Sequence, residues 1–107
     1  MKLYFYILDV YGYFNGIKSA ECEVVEKAKT YRPVDKFPEG YYMSYVSKDA
    51  IGRISGYCSN MVITTEPNFE LAKRLFREKT IREIERLKKS LEKEENKLKD
   101  IEESEEE

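Results

Sequence analysis

Residues 61–76, MVITTEPNFELAKRLF, decide the fold, because the sequence changes there from strand-like to helix-like. Residues 61–65 are apolar or β-branched, which favours a strand. The stretch Thr65-Glu66-Pro67-Asn68 then combines a capping hydroxyl or amide, an acidic first turn and a proline near the first helical position. The pattern predicts a last strand over 61–65 and a helix that begins between residues 65 and 69.

The predicted helix is long, since no glycine or proline occurs from Asn68 to the end of the sequence. We expect it to span 66–101 and the acidic residues 102–107 to fray, because the helix dipole disfavours negative charge at a C-terminus. About 35 helical residues reach roughly 50 Å, whereas a body of about 70 residues is only about 25 to 30 Å across. The helix is therefore expected to outgrow the sheet that supports it.

Apolar residues recur along this helix in steps of three or four, which places them on one stripe. In the second half the stripe narrows to a seam typical of a coiled coil. The five residues of this seam are Ile84, Leu87, Leu91, Leu98 and Ile101. The second half is therefore predicted to pair with another helix.

The start of the chain predicts a β-hairpin, because residues 2–14 are rich in aromatic and aliphatic side chains and Asn15-Gly16 follows them. A tight turn there gives the pairs Phe14 and Ile17, Tyr11 and Ala20, Asp9 and Cys22, Ile7 and Val24, and Leu3 and Ala28. This face is predicted to be the core side.

Prolines and glycines divide the middle of the chain. Arg32-Pro33 and Phe37-Pro38-Glu39-Gly40 predict a loop. Tyr41 to Lys48 alternates with a period of two, which predicts a third strand, and residues 49–60 predict a turn with one short strand. The fold class expected is α+β: a small antiparallel sheet of three to five strands over 1–65, followed by one long helix, within a single domain of residues 1–101.

The charge distribution is more informative than the net charge of −2. Residues 1–70 contain 8 Lys/Arg and 9 Asp/Glu, residues 71–90 contain 8 and 3, and residues 91–107 contain 3 and 9. These segments carry −1, +5 and −6. Two copies of the helix in antiparallel orientation would place opposite charges side by side, so we expect an antiparallel homodimer or a helix that packs against another protein.

Several kinds of chemistry are disfavoured by the sequence. Without histidine, every mechanism that uses an imidazole is excluded. Cys22 and Cys58 lack metal-ligand spacing and the density of a disulfide scaffold, so we expect small core residues in a reduced cytoplasm. No signal peptide and no membrane-spanning stretch is evident. We expect no enzyme activity, no cofactor and no metal ion.

The tyrosines are candidates for binding, because all nine lie within the first 57 residues. They suit stacking on bases or a protein-binding hot spot, although a small sheet also uses tyrosine to cover its core. The basic first half of the helix suits phosphate contacts, and its alternative interpretation is a solvated face with intrahelical ion pairs. The candidate partner-binding residues are Tyr4, Tyr6, Tyr42, Arg74, Arg77, Arg82, Glu94 and Glu95.

With its strand-to-helix junction at Met61 to Phe76 and the Ile/Leu-Glu-Lys helix after it, the second half resembles short proteins encoded by phages and mobile elements of low-GC Gram-positive bacteria. Compact proteins of that group often act by binding, and some inhibit bacterial defence systems. The resemblance implies a non-enzymatic, anti-CRISPR-like inhibitor that binds a host protein such as a CRISPR effector.

Two other functions fit the residues. The first is a nucleic-acid-binding accessory protein that uses the basic helix and the tyrosine-rich sheet. The second is a structural adaptor that joins a larger assembly through its helix.

Overall fold

The computed structural model describes residues 1–9, 16–56 and 58–106, and these form six strands and one long helix. The strands are β1 (Lys2–Asp9), β2 (Gly16–Glu26), β3 (Thr30–Pro33), β4 (Val46–Ser47), β5 (Ile54–Ser55) and β6 (Met61–Thr64). A short 3₁₀ turn covers Lys48–Ala50, and α1 spans Phe69–Glu103. The predicted α+β class is confirmed, with more strands than the three to five expected.

Strand β1 occupies the interior of the sheet. The strand order is β4-β3-β2-β1-β6-β5, and every pair of neighbours is antiparallel. Because successive side chains of a strand point to opposite faces, β1 supplies both faces of the sheet. Leu3 and Phe5 enter one cluster of buried side chains, and Tyr6 enters the other.

The first cluster, here called the loop-side core, lies on the face away from α1. Its buried members are Leu3, Phe5, Cys22, Val24, Tyr31, Val46, Met61 and Ile63. Phe37 and Tyr41 pack against it, and both rings contact Phe5, with ring centroids 5.8 and 5.6 Å away. The long connection between β3 and β4 therefore closes this side of the sheet.

The second cluster, the helix-side core, consists of Tyr6, Val62, Ala72 and Phe76. Ala72 and Phe76 are four residues apart, so they lie on the same face of α1 and meet the sheet together. The Phe69 ring contacts the Tyr6 ring edge-on, with centroids 6.1 Å apart. The first turns of the helix thus cover the face of the sheet opposite the loop-side core.

The structure corrects the predicted hairpin register. Ile17 pairs with Leu8, not with Phe14, and Leu3 pairs with Cys22, not with Ala28. The shift is six residues, an even number, so it leaves every side chain on its predicted face. The hydrophobic pattern is therefore equally compatible with both registers. Residues 10–15, which include Asn15 of the predicted turn, lie outside the described residues.

Two predictions for the middle of the chain were wrong. Residues 41–45 form a loop, and only Val46–Ser47 of the predicted third strand pairs in the sheet. The Tyr41 hydroxyl donates to the carbonyl oxygen of Tyr45 at 2.6 Å, which closes this loop. Conversely, β3 includes Pro33, where a loop was predicted. Proline is tolerated there because β4 pairs only with Thr30 and Tyr31, so Pro33 lies beyond that pairing at an edge of the sheet.

The helix begins at Phe69, within the predicted range of residues 65–69. Asn68 precedes the first helical residue, and its side-chain oxygen accepts a hydrogen bond from the backbone N–H of Leu71 at 3.1 Å. The backbone N–H of Asn68 itself donates to the Tyr6 hydroxyl at 2.7 Å. Both bonds satisfy donors near the start of the helix, and the second one ties the helix start to β1.

The chain divides into two units, residues 1–76 and 77–107. The first contains the sheet, both cores and the start of α1. In the second unit, α1 continues to Glu103, and every described residue from Thr80 onward is exposed. The last helical turn contains no basic residue.

We expect the substitution Tyr6→Phe to lower the free energy of unfolding by about 1 to 2 kcal/mol, because it removes the acceptor for the Asn68 N–H in a largely buried position. Urea denaturation followed by circular dichroism measures the change. Tyr42→Phe is the matched control, since the Tyr42 side chain is 88% exposed. Equal stability of the two variants would contradict the anchoring role of Tyr6.

Candidate interaction surfaces

The first unit carries an apolar cleft of about 660 Å³. One wall is the loop between β3 and β4, which contributes Gly40, Tyr41, Tyr42, Met43 and Tyr45. The remaining lining residues come from the segments around β4, β5 and β6. They contribute Ser47, Ala50, Ser55, Gly56, Cys58, Asn60 and Met61.

Three polar side chains of the cleft are hydrogen-bonded within the protein. The Ser55 hydroxyl donates to the carbonyl of Met61 at 3.5 Å, and the Asn60 amide donates to the carbonyl of Leu8 at 3.4 Å. The Ser47 hydroxyl accepts from the backbone N–H of Asp49 at 3.3 Å. No charged residue lines the cleft in the described part of the chain. Its walls therefore offer aromatic and thioether surface.

Gly56 fixes one end of the cleft. Its φ of +92° is a conformation that side-chain-bearing residues rarely adopt. A Cβ atom at this position would also lie 3.3 Å from the Cβ of Met61. The cleft wall at this point therefore requires glycine.

The three tyrosines that were predicted to bind a partner differ in their exposure. Tyr6 is 5% exposed in the helix-side core, so the prediction of a binding surface is corrected there to a structural role. Tyr4 is half-buried against the same core. Tyr42 is 88% exposed and lines the cleft beside Met61, a residue of the loop-side core. Tyr42 is thus the predicted tyrosine that is available for binding.

Sequence reasoning missed Met43 and Cys58 as residues of a binding surface. Met43 is 56% exposed and lies next to Tyr42 in the cleft wall. The period-two pattern of residues 41–48 concealed it, because that pattern predicted a strand. Gly40 and Gly56 were the available signals, since glycine often marks a turn where the backbone needs positive φ.

The basic residues of the helix do not form one face. Arg74, Arg77 and Arg82 are exposed. At 100° per residue, the eight Lys/Arg of residues 71–90 cover about 240° of the helix circumference, and Glu78 and Glu85 lie within that arc. The Arg86 side chain donates to the Glu83 carboxylate at 3.1 Å, which lowers the pKa of Glu83. Such a distribution suits intrahelical pairing better than a continuous phosphate track.

The seam of Ile84, Leu87, Leu91, Leu98 and Ile101 is exposed along the second unit. These five residues lie within about 100° of the helix circumference. Glu94 falls within the same stripe, and Glu95 flanks it. The structure therefore presents the narrow apolar stripe that the spacing predicted.

The comparisons with known proteins gave no match to a family model, a curated protein or a solved structure. In the described ranges, no group of three or more Cys, Asp or Glu side chains is arranged to hold a metal ion. None of the described helices is both long enough and apolar enough to cross a bilayer.

The two thiols differ in their surroundings. Cys22 is buried and donates to the carbonyl of Lys36 at 3.2 Å, whereas Cys58 is exposed at the cleft. Burial raises the pKa of the Cys22 thiol, and the nearby Asp35 and Glu23 carboxylates raise it further. Both effects reduce the thiolate fraction that reacts with electrophiles.

We expect a thiol reagent at pH 8 to modify one cysteine rapidly in the native chain and the second only upon unfolding. Cys58→Ser should abolish the rapid phase, and Cys22→Ser should leave it unchanged. Absorbance of the released chromophore measures both phases. Rapid modification of two thiols in the native chain would contradict the assignment of Cys22 to the loop-side core.

Proposed function

We propose that this chain is a non-enzymatic protein that binds another protein through the cleft beside Tyr42 and Met43. The observation that carries the proposal is the exposure of these two large apolar side chains at the rim of an apolar cleft. Tyrosine and methionine are enriched at protein interfaces, and hot spots cluster where aromatic side chains fill or frame a pocket.

The chemistry of the cleft limits what it binds. Because the side chains of Tyr41, Ser47, Ser55 and Asn60 are hydrogen-bonded within the protein and no charged residue among the described ones lines the cleft, a ligand gains mainly by burying apolar surface. A volume of about 660 Å³ falls within the range of roughly 300 to 1,000 Å³ typical of ligand pockets. A protruding aromatic or aliphatic segment of a partner protein meets both requirements.

The residue content supports binding over catalysis. The sequence contains no histidine, and the titratable side chains of the cleft are tyrosines and Cys58. Burial raises the pKa of Tyr41, and the Tyr41 hydroxyl donates a hydrogen bond to the Tyr45 carbonyl oxygen. A phenol with a raised pKa and an engaged hydroxyl is poorly suited to act as a base near neutral pH.

The resemblance to phage and mobile-element proteins supports a narrower proposal for the partner. In that form, the chain occupies a surface of a host protein, such as a CRISPR effector or another defence enzyme, and inhibits it. An inhibitor of this kind needs affinity and shape, and it needs no chemistry of its own. A small sheet with an exposed aromatic loop provides both the binding affinity and the shape.

Tyr42→Ala is expected to weaken capture of the partner at least about tenfold, because truncation of an aromatic hot-spot residue typically removes 2 kcal/mol or more of binding free energy. The matched control is Val34→Ala, which shortens another exposed apolar side chain outside the cleft. Immobilised variants are compared in a lysate of a low-GC Gram-positive bacterium, with quantitative mass spectrometry as the readout.

The captured protein is then purified and assayed with and without the chain. We expect its activity to fall on addition of the wild-type chain or the Val34→Ala variant, and to persist with the Tyr42→Ala variant. Two results would refute the proposal: a captured set that is identical for all three chains, or inhibition that the Tyr42 substitution leaves intact.

A further inference from the structure

The seam of α1 has the spacing of a coiled coil. Ile84, Leu91 and Leu98 recur every seven residues, and Leu87, Glu94 and Ile101 recur with the same period three residues later. These two sets occupy the a and d positions of three successive heptads. Each of the five apolar members is exposed by between 47% and 61%.

We propose that the seam is an interface with a second copy of this chain, and that the two helices are antiparallel. The register places Ile84 opposite Ile101 of the second copy, Leu87 opposite Leu98, and Leu91 opposite Glu94. Each pair occurs twice, because the arrangement is two-fold symmetric. Six layers result, four of them between two aliphatic side chains.

Glu94 decides the orientation. In a parallel, in-register pair, Glu94 would face Glu94 of the second copy inside the apolar seam, with both Glu95 side chains beside it. Two carboxylates in such a position repel each other and lose hydration. In the antiparallel register, Glu94 faces Leu91 of the second copy, and Lys88 of that copy lies one helical turn away. The antiparallel arrangement therefore gives Glu94 an opposite charge nearby.

The charges along the helix favour the same orientation. Residues 77–92 contain six Lys/Arg and four Glu, a net charge of +2, and residues 93–107 contain three Lys and eight Asp/Glu, a net charge of −5. The antiparallel register sets these segments side by side, and it brings Lys88 next to Glu95 at the flank of the seam. Complementary charge of this kind sets partner orientation.

A parallel pair would also form flanking ion pairs, between Glu83 and Lys88 and between Lys97 and Glu102. These pairs lie at the solvent-exposed edge of the interface, where screening makes each contribution small. The repulsion between the two Glu94 carboxylates within the seam outweighs these ion pairs, because the carboxylates are desolvated.

In the antiparallel register, the overlap of the two helices runs from residue 82 to Glu103, since residue 82 faces residue 103 and α1 ends there.

The oligomeric state is tested by sedimentation of the full chain over a range of concentrations. We expect a monomer–dimer equilibrium for the wild type. Glu94→Leu should lower the dissociation constant by at least about tenfold, because it replaces a charge by apolar surface in two layers. Leu91→Glu should give a monomer at every concentration.

The control for Leu91→Glu is Asn96→Glu, which makes the same change of charge at a position facing away from the seam. It should leave the dimer intact. Both positions are exposed in the single chain, so neither substitution removes a core contact, and circular dichroism verifies that the helix content is retained. A wild type that stays monomeric, with no dimer from Glu94→Leu, overturns the proposal.

Cysteine cross-linking tests the orientation. In a Cys58→Ser background, Ile84→Cys and Ile101→Cys variants should form a disulfide-linked dimer when mixed and oxidised. Each variant alone should not, because the two copies of residue 84 lie about 25 Å apart along the antiparallel pair. Cross-linking of each variant with itself, in the absence of mixed dimers, establishes a parallel pair and overturns the proposed register.

This interface is separate from the cleft beside Tyr42, so the two proposals fail independently. Leu91→Glu should leave capture of the cleft partner measurable, and Tyr42→Ala should leave dimerisation unchanged.

Discussion

Burial of β1 on both faces of the sheet is the constraint on which the rest of the structure depends. Phe5 is fully buried in the loop-side core, and the next residue, Tyr6, is largely buried in the helix-side core. A strand covered on both sides needs two covering layers. The connection between β3 and β4 provides one, and the first turns of α1 provide the other.

The Tyr6 hydroxyl fixes where the helix packs on the sheet. Apolar contact between Tyr6, Ala72 and Phe76 favours packing of a helix on the sheet, but such contact has little directional preference. The bond from the Asn68 N–H to this hydroxyl fixes the point at which the helix begins. One side chain thus joins the centre of the sheet to the N-terminal cap of the helix.

What the two cores leave uncovered defines the proposed binding surfaces. The loop that seals the loop-side core partly buries Tyr41 but leaves Tyr42 and Met43 exposed beside the cleft. In the second unit, the seam residues are exposed although they are Ile and Leu. Large apolar side chains in contiguous exposed patches are typical of interaction sites. We interpret the cleft as the surface for a partner protein and the seam as the surface for a second copy.

The sequence predicted the elements whose signals are local. The helix start at Asn68 followed from capping chemistry, and the faces of β1 and β2 followed from the alternation of apolar residues. The hairpin register did not, because a shift of six residues preserves that alternation. Tyr41 and Tyr42 illustrate the same limit: tertiary packing of the Tyr41 ring against Phe5 produced a loop where the local pattern favoured a strand.

The candidate site was predictable only in part, for the same physical reason. Both Tyr6 and Tyr42 have neighbouring aromatic residues in the sequence. Tyr6 is nevertheless buried under the helix, whereas Tyr42 is exposed. Which tyrosine is covered depends on where α1 packs, and that position is set by contacts between residues about 60 positions apart. The seam, by contrast, depends on spacing within one helix and was therefore visible in the sequence.

Amide hydrogen exchange at two protein concentrations tests most directly whether a second copy covers the seam, because it reports on each unit separately. If a second copy covers the seam, protection of residues 82–103 rises with concentration, while protection within residues 1–76 stays constant. Protection of residues 82–103 that is identical in dilute and concentrated samples would contradict the account.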